Sequence, residues 1–227
     1  MQQAPDRWLI ADVETTGVRT EDRVVEIAWI EVDNDLNIVD EVHSLIDPEM
    51  PIPAAASGVH HITDAMVADA PTISQFFESV RGRNLGSYGL IAHNAAFDRR
   101  FLEPHSDEIL SQMCTLRLAR RLYPDLDNHK LQTLRYTFEL DAGRAHSALG
   151  DITALASFVK MLREVTALSL HGLAQLAMQP IEVKTMPFGK HKGQLLEEVP
   201  RSYMSWLLKQ SDVDPDLRAS MENYLAR

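Results

Sequence analysis

The chain has 227 residues, which at roughly 150 residues per domain leaves room for one substantial core and a small appended module. Hydrophobic residues make up 45% and charged residues 24%. That globular composition excludes disorder, collagen and coiled coil, and no apolar run approaches the ~18 residues of a membrane span. The net charge of −11 taken alone speaks against a basic nucleic-acid binder. The single cysteine, Cys114, excludes an internal disulfide and a thiolate metal cluster. The first ten residues, MQQAPDRWLI, lack the basic start and long apolar stretch of a secretory signal, so a reducing cytoplasm is the simplest compartment.

In chain order, Trp8 to Val13 is a short apolar run dense in branched residues, as a central strand requires, and Thr15-Thr16-Gly17 breaks it. Val24 to Val32 predicts a second strand and Ile38 to Ile46 a third, with turn-like separators that point to an antiparallel meander. Pro48, Pro51 and Pro53 mark a loop. Thr72 with Gln75 three residues on resembles a capping box opening a helix through Val80. Tyr88 to His93 predicts a fourth strand, and Asn94 is placed to cap the helix after it. From about Thr115 the pattern is helical, interrupted at Pro124 and Gly143. Leu149, Ile152, Leu155, Ala156, Val159 and Leu162 recur at helical spacing and predict a long helix after Gly150. Composition changes after Gln179-Pro180, which predicts a first domain over 1–180 and a small C-terminal module over 181–227. The module carries a basic turn, Phe188 to Gly193 (FGKHKG), and Phe188, Tyr203 and Trp206 are expected to form a satellite core. Lys184, Lys190, His191 and Lys192 form a basic cluster beside Phe188 that suits strand guidance. The fold class is α/β, a mixed β-sheet flanked by helices.

Charge is unevenly spread. Residues 1–80 hold 16 acidic and 3 basic side chains, whereas 81–144 hold 10 basic and 8 acidic. Within the acidic part, Asp12 and Glu14 are two apart on a predicted strand, so both carboxylates point to one face near the strand's C-terminal end. Asp98 follows the fourth strand in the segment HNAAFD, where a helix dipole favours an acid. His146 and Asp151 are five apart. Five helical steps turn by about 140°, so a site shared by both requires His146 in a loop and Asp151 on the first turns of the helix after it. Gly143 and Gly150 make such a loop plausible.

Taken in order, Asp12-Val13-Glu14-Thr15-Thr16-Gly17, then HNAAFD from His93 to Asp98, then His146-x4-Asp151 resemble the three exonuclease motifs of the DnaQ-like DEDDh family. The resemblance covers about residues 7–165, and Val59 to Thr63 resembles a segment which that family carries between its first two motifs. Position 147 is Ser, which disfavours the sister subgroup with a Tyr-x3-Asp third motif.

The resemblance implies a ribonuclease H-like fold and a 3′→5′ exodeoxyribonuclease that releases nucleoside 5′-monophosphates from single-stranded or frayed DNA 3′ ends, in DNA repair or recombination. It implies two divalent cations, Mg²⁺ or Mn²⁺, on Asp12, Glu14, Asp98 and Asp151, with His146 deprotonating the nucleophilic water. By the same resemblance, Thr15, Thr16 and Gly17 hold the terminal sugar, and Val18 with Arg19 wedges the terminal base. His60 or His61, His93, Asn94 and Phe97 line the nucleotide pocket. Arg144 is first among the arginines (with Arg99, Arg100, Arg117, Arg120, Arg121 and Arg135) to track phosphates. No membrane partner is implied, and protein partners stay open. Two alternatives stay open: the proofreading subunit of a replicative polymerase, disfavoured by the near absence of a linker before the C-terminal module, and an RNA 3′-exonuclease of the oligoribonuclease kind. An inactive nucleic-acid-binding relic has no need to keep all four acids and the histidine.

Overall fold

The computed structural model describes residues 5–80, 87–105, 108–141 and 147–226. The chain divides into two compact units, Met1–Ala177 and Met178–Arg227. The first is built on a five-stranded sheet of β1 (Arg7–Thr15), β2 (Val24–Asp33), β3 (Ile38–Leu45), β4 (Ser87–Ala92) and β5 (Glu108–Cys114), ordered β3-β2-β1-β4-β5. The expected meander is present: β1 pairs antiparallel with β2 and β2 with β3, while β4 and β5 add in parallel beyond β1. β5 has no counterpart among the sequence expectations. It is an edge strand with Ser111-Gln112 in its middle, so its apolar signal is weak.

The sheet is covered on both faces, which explains why apolar residues of β1 and β2 are buried on both sides. Trp8 and Ile10 of β1 with Ala28, Ile30 and Val32 of β2 pack against Ile152, Leu155, Phe158, Val159 and Leu162 of α7 (Ala148–Thr166). The alternate residues Leu9, Ala11 and Val13 with Ile27 and Trp29 pack against Phe76, Phe77 and Val80 of α3 (Ile73–Val80). Leu149, expected in the apolar stripe of α7, is 37% exposed: the buried face of the helix runs through Ala148, Ile152, Leu155 and Val159, and Leu149 lies to its side. The Thr72–Gln75 capping box forms: the Thr72 N–H donates to Gln75 Oε1 (2.9 Å) and the Gln75 N–H to Thr72 Oγ1 (3.4 Å). Gly150, expected in the preceding loop, lies in the first turn of α7, and its N–H donates to the capping Ser147 Oγ at 3.2 Å.

Around this frame run α1 (Ala54–His60) and α2 (Asp64–Val67) after β3, α4 (Ala95–Leu102) after β4, α5 (Thr115–Leu122) and α6 (Leu131–Thr137) after β5, and α8 (Leu170–Met178) after α7. Asn94 occupies the N-cap position of α4 but makes no side-chain capping bond. Its backbone is left-handed (φ 74°, ψ 49°) rather than extended, which Asn tolerates better than most residues but which turns its side chain away from the helix start.

The second unit carries α9 (Arg201–Leu207) and α10 (Pro215–Leu225). Its core is aliphatic and Met-rich: Met186, Leu196, Val199, Met204, Leu207, Val213, Leu217 and Met221. The expected aromatic core is corrected here: Phe188 is 42% and Trp206 53% exposed, and only Tyr203 packs partly against this cluster.

Candidate active site

Strand periodicity sets Asp12 and Glu14 on the α7 side of the sheet, in line with Trp8 and Ile10. Opposite them in register stand Ala28, beside Asp12, and Glu26, beside Glu14. Asp151 enters from the first turn of α7. Carboxylate oxygens of Asp12, Glu14 and Asp151 lie within 4.8 Å of one another. Asp98 sits in the first turn of α4, 2% exposed, and is the largest single charge acting on Asp12. The N–H groups of Val13 and of Asp98 itself bond its carboxylate.

Burial and crowding perturb the acids of this cluster. Burial pushes Asp12 well above the usual carboxylate range, and Asp98, Glu14, Asp151 and Glu26 push it further. Glu14 is pushed up to about 8, by burial first and then by Asp151, Glu26 and Asp98. Burial raises Asp98 against the hydrogen bonds that oppose it. All the donors are hard carboxylate oxygens, so the set suits an oxygen-preferring divalent cation, and such a cation relieves the repulsion.

Two further residues complete the arrangement, and neither is among the sequence candidates. Glu26 is buried; its Oε2 accepts the Ala148 N–H (2.9 Å) and its Oε1 lies 2.7 Å from His43 Nε2. It thereby ties the start of α7, three residues before Asp151, to β2. The hairpin register alone would have found it, since Glu26 faces Glu14 directly. Gln132, on α6, donates from Nε2 to Asp151 Oδ1 at 2.6 Å. Nothing in the sequence marks it, because its approach depends on how α6 packs against α7.

The turn after β1 is held by Asp22. The Asp22 carboxylate accepts the Arg19 N–H (2.6 Å) and the Thr16 hydroxyl (3.3 Å), and it fills the space beside Gly17 so closely that a Cβ there would lie 2.5 Å from Asp22 Oδ2. The Thr15 hydroxyl donates to the Gly17 carbonyl at 2.6 Å, and Thr16 Oγ1 also accepts the Arg23 N–H at 3.0 Å. Both hydroxyls are thus committed inside the turn. Val18 stands at the tip, 77% exposed.

His60 is buried; its Nδ1 accepts the Ile62 N–H at 3.0 Å, so the proton is on Nε2, and the ring lies against the Thr15 backbone. His61 is exposed and ends α1 in a left-handed conformation (φ 63°). His93 is held at both nitrogens, Nε2 by the His129 carbonyl (2.8 Å) and Nδ1 by Thr115 Oγ1 (3.0 Å). Burial lowers it to about 4, so the ring is neutral, Nε2–H donates to the carbonyl and Nδ1 accepts from Thr115. His93 therefore clamps β4 to the segment before α6 and has no nitrogen left for a nucleotide. Phe97 packs edge-on to Phe101, and Arg100 lies over both rings at 4.6 and 4.5 Å.

The expected arginine track is largely engaged in the protein itself. Arg99 pairs with Glu103 at 2.6 Å, Arg100 lies on the two phenylalanines, and Arg117 Nε donates to the Ala177 carbonyl at 2.7 Å. His146 and Arg144 lie outside the described residues.

A family model described as exonuclease matches residues 9–159. The chain belongs to the exonuclease family. Within that family it is similar to exodeoxyribonuclease 10 of Escherichia coli K12, 33% identical over 95% of this chain and 97% of that one. It is also similar to the PolC-type DNA polymerase III of Bacillus subtilis 168, 33% identical over 70% of this chain but only 12% of the polymerase. Among solved structures, exonuclease X in complex with 5′-overhanging duplex DNA superposes with a TM-score of 0.61, at 32% identity over 75% of this chain and 98% of that chain. E. coli exonuclease I in complex with a dT13 oligonucleotide shares the fold at a TM-score of 0.59 and 17% identity. A second family model, described as "Putative quorum-sensing-regulated virulence factor", matches residues 174–221. The exonuclease match spans β1 through most of α7 and so contains all four acids. Family membership and the acid cluster together make the protein divalent-metal dependent. No helix among the described residues is long and apolar enough to cross a membrane.

Proposed function

We propose that this chain is a 3′→5′ exodeoxyribonuclease acting on single-stranded or frayed DNA 3′ ends. The observation that carries the proposal is the convergence of Asp12, Glu14 and Asp151 oxygens within 4.8 Å, with Asp98 acting on Asp12. These four acids would hold two divalent cations, Mg²⁺ or Mn²⁺. When bound, such ions supply Lewis-acid polarisation of the scissile phosphate and neutralise charge on it.

The chain's own residues do the rest. His146, on the segment leading into α7, takes the proton from the water that attacks phosphorus. The bond from phosphorus to the 3′-oxygen of the preceding nucleotide breaks, and a nucleoside 5′-monophosphate leaves. Gln132 and Glu26 keep Asp151 and the start of α7 in place, the kind of support that orients metal ligands. Because Thr15 and Thr16 hydroxyls are committed internally, Thr15, Thr16 and Gly17 meet the terminal sugar through backbone groups, with the Val18 side chain against the terminal base. Phe97, Asn94, His60 and Arg144 belong to the wider substrate surface. Residues 1–180 form the nuclease domain and 181–227 a separate module. DNA repair or recombination in the cytoplasm is the setting that fits such an activity.

Products decide the matter chemically. With Mg²⁺ and a single-stranded DNA of mixed sequence, chromatography is expected to show nucleoside 5′-monophosphates as the small product. Nucleoside 3′-monophosphates would overturn the direction of bond cleavage, and faster release from RNA of the same sequence would reassign the substrate.

A further inference from the structure

The second unit displays an aromatic and cationic surface of its own. Tyr203 and Trp206 stand one helical turn apart on α9, their rings 5.5 Å apart and tilted. His191 packs edge-on to Tyr203 at 4.6 Å, and Lys190 Nζ lies 5.0 Å above the same ring. Gly189 permits this closeness: its backbone is left-handed (φ 72°), and a Cβ there would lie 2.8 Å from the Tyr203 hydroxyl. Trp206 is 53% exposed, and Phe188, just before the turn, is 42% exposed. A small unit with a complete aliphatic core of its own has no structural need to leave two large rings in water.

Charge says which partner suits these rings. Lys184, Lys190 and Lys192 are exposed, and none is in an ion pair among the described residues. Of the arginines among the unit's described residues, Arg201 is committed to the Leu225 carbonyl (2.5 Å) and Arg218 to the Leu208 and Gln210 carbonyls (2.8 and 2.7 Å). Lys190 and Lys192 therefore place two ammonium groups without a carboxylate in the turn beside the rings. Exposed rings for bases to stack on, edged by flexible ammonium groups for phosphates, is how sequence-indifferent single-strand binding is built.

We propose that Trp206, Tyr203 and Phe188 with Lys190 and Lys192 form a single-stranded DNA-binding surface on the second unit. This rests on the proposed function only in taking DNA as the strand. The surface would stack bases and hold phosphates without reading sequence.

The test measures binding of a fluorescein-labelled dT15 oligonucleotide to the full chain in EDTA, where nothing is hydrolysed. Trp206→Ala is expected to weaken binding by roughly fivefold or more, and Trp206→Phe, which keeps a stacking face, to restore most of it. Replacing Lys190 and Lys192 by Gln should lower the slope of log affinity against log salt by about 0.7 for each phosphate deprived of its ammonium partner. Trp206 is half exposed, so its removal leaves the core intact, and unchanged thermal melting checks that. Wild-type affinity in Trp206→Ala together with an unchanged salt slope in the lysine variant would overturn the proposal and assign the surface to a protein partner. Hydrolysis of a dinucleotide, too short to occupy a second site, reports on the nuclease reading independently.

Discussion

At the scale of single residues, the site stores repulsion. In the metal-free protein Asp12 and Glu14 are raised by burial and by their acidic neighbours, Glu14 from 4.5 to about 8. A group raised on folding binds more protons folded than unfolded, so its stabilising contribution is complete below its unfolded value and is lost as pH climbs through its folded one. The melting temperature measured in EDTA is therefore expected to fall between pH 5 and pH 8, and Mg²⁺ added at pH 8 should recover much of the loss. A metal-free melting temperature that rises steadily over that interval would contradict the crowding. Strand alternation puts Asp12 and Glu14 on one face and a first helical turn suits Asp98 and Asp151, but each signal is weak alone, and the order of the three motifs is what singles out the four acids in the sequence. Gln132 was not legible, since its bond to Asp151 spans two helices whose packing no local pattern encodes.

Among the elements, the sheet interior explains both what was legible and what was not. Branched and aromatic runs marked β1 through β4, and the capping box marked α3, because these signals are short-range. β5 escaped because an edge strand needs little apolar content, and Asn94 misled because its value here is backbone tolerance rather than a capping side chain. Close packing also creates demands that sequence does not announce. Gly89 of β4 lies in register with Trp8 of β1, and the indole occupies the space where a side chain would stand. Trp8 in turn has no exposure, and its Nε1–H donates to Asn34 Oδ1 at 3.0 Å. Gly89→Ala is expected to destabilise the fold by about 1–3 kcal/mol in denaturant titration, the usual cost of overpacking. A midpoint unchanged from wild type would show that the indole has room to move.

At the scale of the whole molecule, the uneven charge seen in the sequence becomes intelligible. The acidic first 80 residues supply Asp12 and Glu14, two of the three carboxylates that converge with Asp151, and the buried Glu26 beside them, a crowd of like charge that suits a cation rather than a basic surface. Among the described arginines of the middle segment, Arg99 and Arg117 are engaged within the protein itself. Net acidity thus coexists with a nucleic-acid substrate when catalysis is assigned to bound divalent cations.

The most direct test of that assignment uses single-stranded DNA labelled at its 5′ end, incubated with the full chain in Mg²⁺, in EDTA, and in Mg²⁺ with Asp12→Asn. A ladder that shortens stepwise from the 3′ end in the first reaction and is absent from the other two is the predicted result. Shortening that persists in EDTA or in Asp12→Asn, or no shortening in any reaction, would contradict a metal-dependent nuclease built on these four carboxylates.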